Sequence, residues 1–165
     1  MNNQQQLSVD RITKKLQIVT FTLVAGVVTV LGFVLVTSDQ NAQPAEQPMM
    51  SYAAVVATVM ALVMRVILKQ IIAKGARSNL LNQEVPEEKY CELLAPTYMA
   101  ITIIGAALPE GAALLSTVAF MVEHHWWVLI LLVPLLGVMI LSIPTKTKVE
   151  DWMKTQIEEM VLERN

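Results

Sequence analysis

Cysteine, histidine and charge are all scarce in this chain, and each scarcity closes off a class of protein. A single cysteine, Cys91, allows no internal disulfide and no Cys-cluster zinc or iron–sulfur site. The two histidines, His124 and His125, are adjacent; neighbours on a helix end point about 100° apart, a poor geometry for closing one metal site. Only 16% of the residues are charged, against about 25% in an average soluble domain. Lys and Arg number 12 and Asp and Glu 14, so no broadly basic nucleic-acid surface is expected. The sequence has no Gly-rich phosphate loop, nucleophile elbow or His–Glu zinc helix. Neither enzymatic activity, nor a cofactor, nor a metal is therefore expected.

What fills the chain instead is apolar. Of its 165 residues 55% are hydrophobic, with a mean hydropathy of +0.53. A bilayer core about 30 Å thick is crossed by about 20 apolar residues in a helix, and four stretches qualify: 16–37, 50–72, 96–122 and 126–143. The first exceeds the roughly 7–15 residues of a cleavable signal core, so it is read as retained. The expected fold is all-α, a polytopic membrane protein built as a four-transmembrane-helix bundle with short interfacial cytoplasmic helices.

Charge orients this bundle. The segment 1–15 carries Arg11, Lys14 and Lys15, and the loop 38–49 has no Lys or Arg. Arg65, Lys69, Lys74, Arg77 and Lys89 follow in late span two and the connection 73–95, the turn 123–125 has no Lys or Arg, and the last four lie in 144–165. Threading four spans puts all twelve on one side, and the positive-inside rule then places both termini in the cytoplasm of a bacterial inner membrane. Trp126 and Trp127 would lie in the outer aromatic belt and Tyr98 near the inner boundary.

Between the spans, Pro86 with Glu87 and Glu88 reads as the start of an interfacial helix over 86–95, which places Cys91 in it, and Pro96 reads as the start of span three. Loop 38–49 reads as irregular and residues 1–6 as disordered. At the C-terminus Thr147 and Glu150 have capping-box spacing. Val149, Trp152, Met153, Ile157, Met160 and Val161 then form one helical face suited to docking on the spans or on a partner. Small residues mark the expected helix contacts: Thr22, Ala25, Thr29 and Gly32 in span one, Ala53, Ala57 and Ala61 in span two, Gly105, Ala106, Gly111, Ala112 and Ala113 in span three. Span four, mostly Leu, Val and Ile, is expected to face lipid.

The candidate site is Glu110, an ionisable group near mid-membrane and hence either paired or ion-handling. Pro109 precedes it and withholds an N–H from the carbonyl of Gly105, which marks a helix kink at Pro109 and Gly105. Arg65, whose side chain tilts toward the same depth, is its candidate intramembrane partner, with snorkelling to the headgroups as the alternative. The expected partners are the lipid bilayer and a membrane protein or second copy, with no nucleic acid.

The stretch 107–120, ALPEGAALLSTVAF, resembles the carboxylate-bearing second helix of the rotary ATP synthase proteolipid (c) subunit. The resemblance implies that Glu110 matches the ion-binding carboxylate of that family. It covers about one span in four; span two has an alanine ridge where that family has glycine, and the connecting loop is longer. Two readings stand: an accessory or assembly protein acting through its helix faces and tail, and a proton- or ion-coupled transporter built on Glu110.

Overall fold

The computed structural model describes residues 3–38, 42–82 and 90–164. Its elements are α1 (Asn3–Thr37), α2 (Met49–Asn82), α3 (Tyr90–Glu123), a 3₁₀ segment (Trp126–Leu131), α4 (Leu132–Leu141) and α5 (Lys146–Arg164). The described residues are helical with no strand. Three stretches, Val9–Thr37, Met49–Leu81 and Leu93–Glu123, are long and apolar enough to cross a membrane.

The long helices overrun the expected spans. α1 already begins at Asn3, within the segment read as disordered. α2 continues to Asn82, through half of what reads as a loop, and α3 begins at Tyr90. Pro96 and Pro109 both lie inside α3, so Pro96 does not open a helix. The start signal at Pro86, Glu87 and Glu88 lies outside the described residues, as does the side chain of Cys91. Each long helix measures about 50 Å at 1.5 Å per residue, some 20 Å more than the apolar run alone requires. The surplus of all three lies at one end, which carries the cations of α1, α2 and α5 and is called the basic end below.

α3 is the hub. Of its most apolar stretch 44% is buried within the chain, against 17% for α1 and 11% for α2. The return segment, expected to face lipid, instead buries Leu132, Leu135 and Met139 against Val27, Ala61, Ala112 and Ala113 in the central core, and Val128 against Ala54 and Ala119. The alanines explain why: they leave room beside α3 that only large side chains fill, and in lipid close packing is what holds helices together. On α1 the buried stripe is not Thr22, Ala25, Thr29 and Gly32. It is Val9, Thr13, Leu16, Thr20, Val27 and Val34, a heptad-like seam of 3, 4 and 7 spacings. Thr22, Thr29 and Gly32 face outward. Four buried hydroxyls do not serve as interhelical glue: Thr13, Thr58, Ser116 and Thr117 each donate to a carbonyl one turn back in their own helix.

At the end away from the cations, α3 stops at Glu123 and the chain reverses through His124, whose φ of 54° is the left-handed conformation unusual for a side-chain-bearing residue. Trp126 then packs on Phe120 with ring centroids 4.8 Å apart. Six 3₁₀ residues at about 2.0 Å and ten α-helical residues at about 1.5 Å give the return segment a length of about 27 Å. Its far end reaches the level of Gln17, whose Nε2 donates to the carbonyl of Pro144 at 2.9 Å.

There the chain bends by 76° into α5. Thr145, not Thr147, caps this helix, accepting from the Lys148 amide. α5 closes the basic end. Val149 and Met153 pack on Val9 and Leu16 of α1 and on Ala95 and Tyr98 of α3; Met160 packs on Leu80, Tyr90 and Leu94. The docking face is shifted from the expected stripe, with Gln156 buried and Val161 exposed.

Candidate functional site

The structure separates Glu110 from Arg65, and no ion pair joins them. Arg65 is half-buried and lies against α3 at Gly105, where a Cβ would stand 3.6 Å from Nε, an ordinary van der Waals distance. Beyond it, the guanidinium donates to the hydroxyl of Ser142 at 2.5 Å and the carbonyl of Val138 at 3.5 Å. Both acceptors belong to the C-terminal turn of α4. Lys148 does the same from the other side, its Nζ donating to the carbonyls of Leu141 at 2.9 Å and Ile143 at 3.4 Å. Two cations thus stand at the negative pole of one helix end, and Lys148 satisfies the carbonyl of its last residue, Leu141. Gly105, expected beside Pro109 as part of a kink, lies against Arg65, and α3 runs on through Pro109.

Glu110 faces the other way. One carboxylate oxygen lies against Gly26 of α1, 3.9 Å from where a Cβ would stand. Gly26 sits near the midpoint of the apolar run 16–37. Glu110 therefore occupies the groove between α1 and α3 at mid-depth, partly open on the bundle's flank, without a hydrogen-bond or ion-pair partner in the described residues.

A second carboxylate, missed in the sequence reading, is fully committed. Glu123 is buried and accepts from the Met50 amide at 2.6 Å, the Ser51 amide at 2.8 Å and the Ser51 hydroxyl at 2.5 Å. It caps the N-terminus of α2 from the end of α3. The signal was an absence: α2 has no acid in its first turn and starts after Gln47 and Pro48, so its cap had to come from elsewhere. Its neighbour His125 shares hydrogen-bond distance (3.1 Å) with the Ala45 carbonyl, and the Ala45 amide donates to the Glu123 carbonyl. Glu123 and His125 together fasten the connection before α2 to the end of α3.

At the basic end the α4–α5 bend leaves a cleft of about 400 Å³, lined by Arg65, Lys69, Tyr98, Lys148, Asp151 and Trp152. It adjoins a second lobe of about 670 Å³ that shares Arg65, Lys69 and Trp152 and adds Lys74, Arg77, Gln156 and Glu159. Tyr98 and Trp152 pack with ring centroids 5.2 Å apart, and Arg77 is ion-paired with Glu159. Among the described residues no group of three or more His, Cys, Asp and Glu could hold a metal ion. Compared with protein-family models, curated proteins and solved structures, the chain matches none.

Proposed function

We propose that the protein is a four-span accessory or assembly subunit of a bacterial cytoplasmic membrane, with both termini in the cytoplasm, which binds a membrane-protein partner or a second copy along the flank formed by α1 and α3. The fourth crossing is the return segment, whose length of about 27 Å approaches that of the hydrocarbon core. The cations at one end give the orientation. Fusions of a topology reporter at Gln43 and at the C-terminus should report periplasm and cytoplasm respectively; the same side for both would end the four-span reading.

The observation that carries the partner assignment is Glu110. A carboxyl group at mid-membrane costs several kcal/mol unless something satisfies it, and here it stands in a groove beside Gly26 with no partner among the described residues. Beside it α1 presents Thr22, Thr29 and Gly32 outward, small residues that let another helix come close. The test is a photo-crosslinking residue at Thr29 in native membranes. A discrete protein adduct that Glu110→Leu abolishes is expected, its mass distinguishing a second copy from another polypeptide. Adducts to lipid alone would overturn the reading.

The alternative is proton or ion handling by the same carboxyl, supported by its lack of a countercharge and by the resemblance of 107–120 to the proteolipid helix. It requires that Glu110→Gln fold normally and abolish proton or sodium flux in reconstituted vesicles.

A further inference from the structure

The cleft at the α4–α5 bend combines three features. It holds more positive than negative side chains: Arg65, Lys69 and Lys148 stand against Asp151 in the first lobe, and Lys74 adds to them in the second, where Arg77 is neutralised by Glu159. Lys69 is exposed and has no partner of its own among the described residues. Arg65 and Lys148 use part of their donor sets on acceptors at and just beyond the end of α4, and a guanidinium carries five N–H donors, an ammonium three. The second lobe also contains an unsatisfied acceptor. Gln156 is 6% exposed and its Nε2 donates to Glu159, while its buried carbonyl oxygen has no hydrogen-bond partner. A buried amide oxygen left empty is costly and calls for a donor. The third feature is place. The cleft opens where the return segment ends, level with Gln17 and one turn from Lys14 and Lys15, with Tyr98 and Trp152 in its wall. Amphipathic rings and cations at that level are what a headgroup layer selects.

We propose that this cleft binds a phosphate group carrying a neighbouring hydroxyl, the chemistry of a polyol phospholipid headgroup. Lys69 and the remaining donors of Arg65 hold the phosphate, as cationic pockets between helices hold anionic headgroups. The hydroxyl donates to Gln156 in the adjoining lobe. Together the lobes are of the size that accommodates small ligands. The site rests on membrane insertion but not on the partner assignment, because it is scored on purified protein.

The experiment is native mass spectrometry of the detergent-solubilised full chain with phosphatidylglycerol, phosphatidic acid or phosphatidylcholine added, and thermal unfolding with inorganic phosphate or glycerol 3-phosphate. Retention of one phosphatidylglycerol in preference to phosphatidylcholine is expected, weakened about tenfold in Lys69→Gln through loss of one charge-assisted hydrogen bond. Lys69 is exposed and has no partner among the described residues, so this variant should unfold at the wild-type temperature. Gln156→Leu should erase the preference for phosphatidylglycerol over phosphatidic acid while leaving both bound. Stabilisation by glycerol 3-phosphate that also displaces the lipid upholds the phosphate site and moves its source from the bilayer to the cytoplasm. Equal retention of phosphatidylglycerol and phosphatidylcholine, or undiminished binding in Lys69→Gln, overturns the proposal.

Discussion

Met153→Asp is expected to detach α5 from the basic end and to lower stability by at least about 3 kcal/mol. Met153 is 3% exposed, packed among Val9, Leu16, Ala95 and Tyr98. Its removal forfeits about 1.5–3 kcal/mol of apolar burial, and the new carboxylate is either buried unpaired, at a further several kcal/mol, or drives the helix into water. The effect is large because α5 docks on helix extensions beyond the apolar runs. Between helices inside lipid the hydrophobic drive is absent; at an aqueous end it operates in full. Thermal unfolding in detergent, together with tryptic cleavage at Lys154, reads the outcome. Val161→Asp on the same helix is the control: Val161 is exposed, and a change of no more than about 0.5 kcal/mol is expected. Equal effects of the two substitutions would show that α5 is not docked as described.

Glu123→Ala should cost about 2–4 kcal/mol. The carboxylate accepts three hydrogen bonds at the N-terminus of α2, hydrogen bonds to a charged group contribute about 1.5–3 kcal/mol each without adding fully, and an anion at this pole of a helix contributes a further 0.3–1 kcal/mol, roughly. Glu123→Gln keeps one oxygen acceptor and should lose about half as much. Hydrogen exchange supplies the local readout: the amides of Met50 and Ser51 should lose protection in Glu123→Ala while those of Ala112 and Ala113 in the centre of α3 keep theirs. Unchanged protection at Met50 and Ser51 would remove Glu123 from the cap.

The sequence made the three long apolar helices and the one-sided distribution of cations legible, because both depend on run length and charge alone. It under-read the helix ends. Residues 73–82 carry Lys74, Arg77, Ser78 and Asn79, which look like a loop until Leu80 and Leu81 are given α5 to pack against. Arg65 shows a different limit. Residue spacing and the tilt of Cα–Cβ bonds give the depth of a side chain in a bundle, but not the direction around the helix axis. Arg65 and Glu110 converge in depth, yet one points across Gly105 to α4 and the other toward Gly26 on α1. The seam on α1 failed for a related reason: Thr22, Ala25, Thr29 and Gly32 are small enough for close approach, but with α3 as neighbour the heptad from Val9 to Val34 fills the interface better. The cap by Glu123 joins residues 72 and 73 positions apart, and no local pattern specifies such a pair.

The 3₁₀ segment sets a length. Six residues at about 2.0 Å instead of 1.5 Å per residue make the return strand of the bundle about 3 Å longer than a uniform α-helix of the same sequence. Rewinding Trp126–Leu131 into α-helix would draw Pro144 by that distance toward the opposite end. Pro144 is bonded to Gln17, and Ser142 and Leu141 are held by Arg65 and Lys148, so the pull would pass directly to α5 and the cleft at its base. The pitch of Trp126–Leu131 and the seating of α5 at the basic end are therefore tied to each other through Gln17, Arg65 and Lys148.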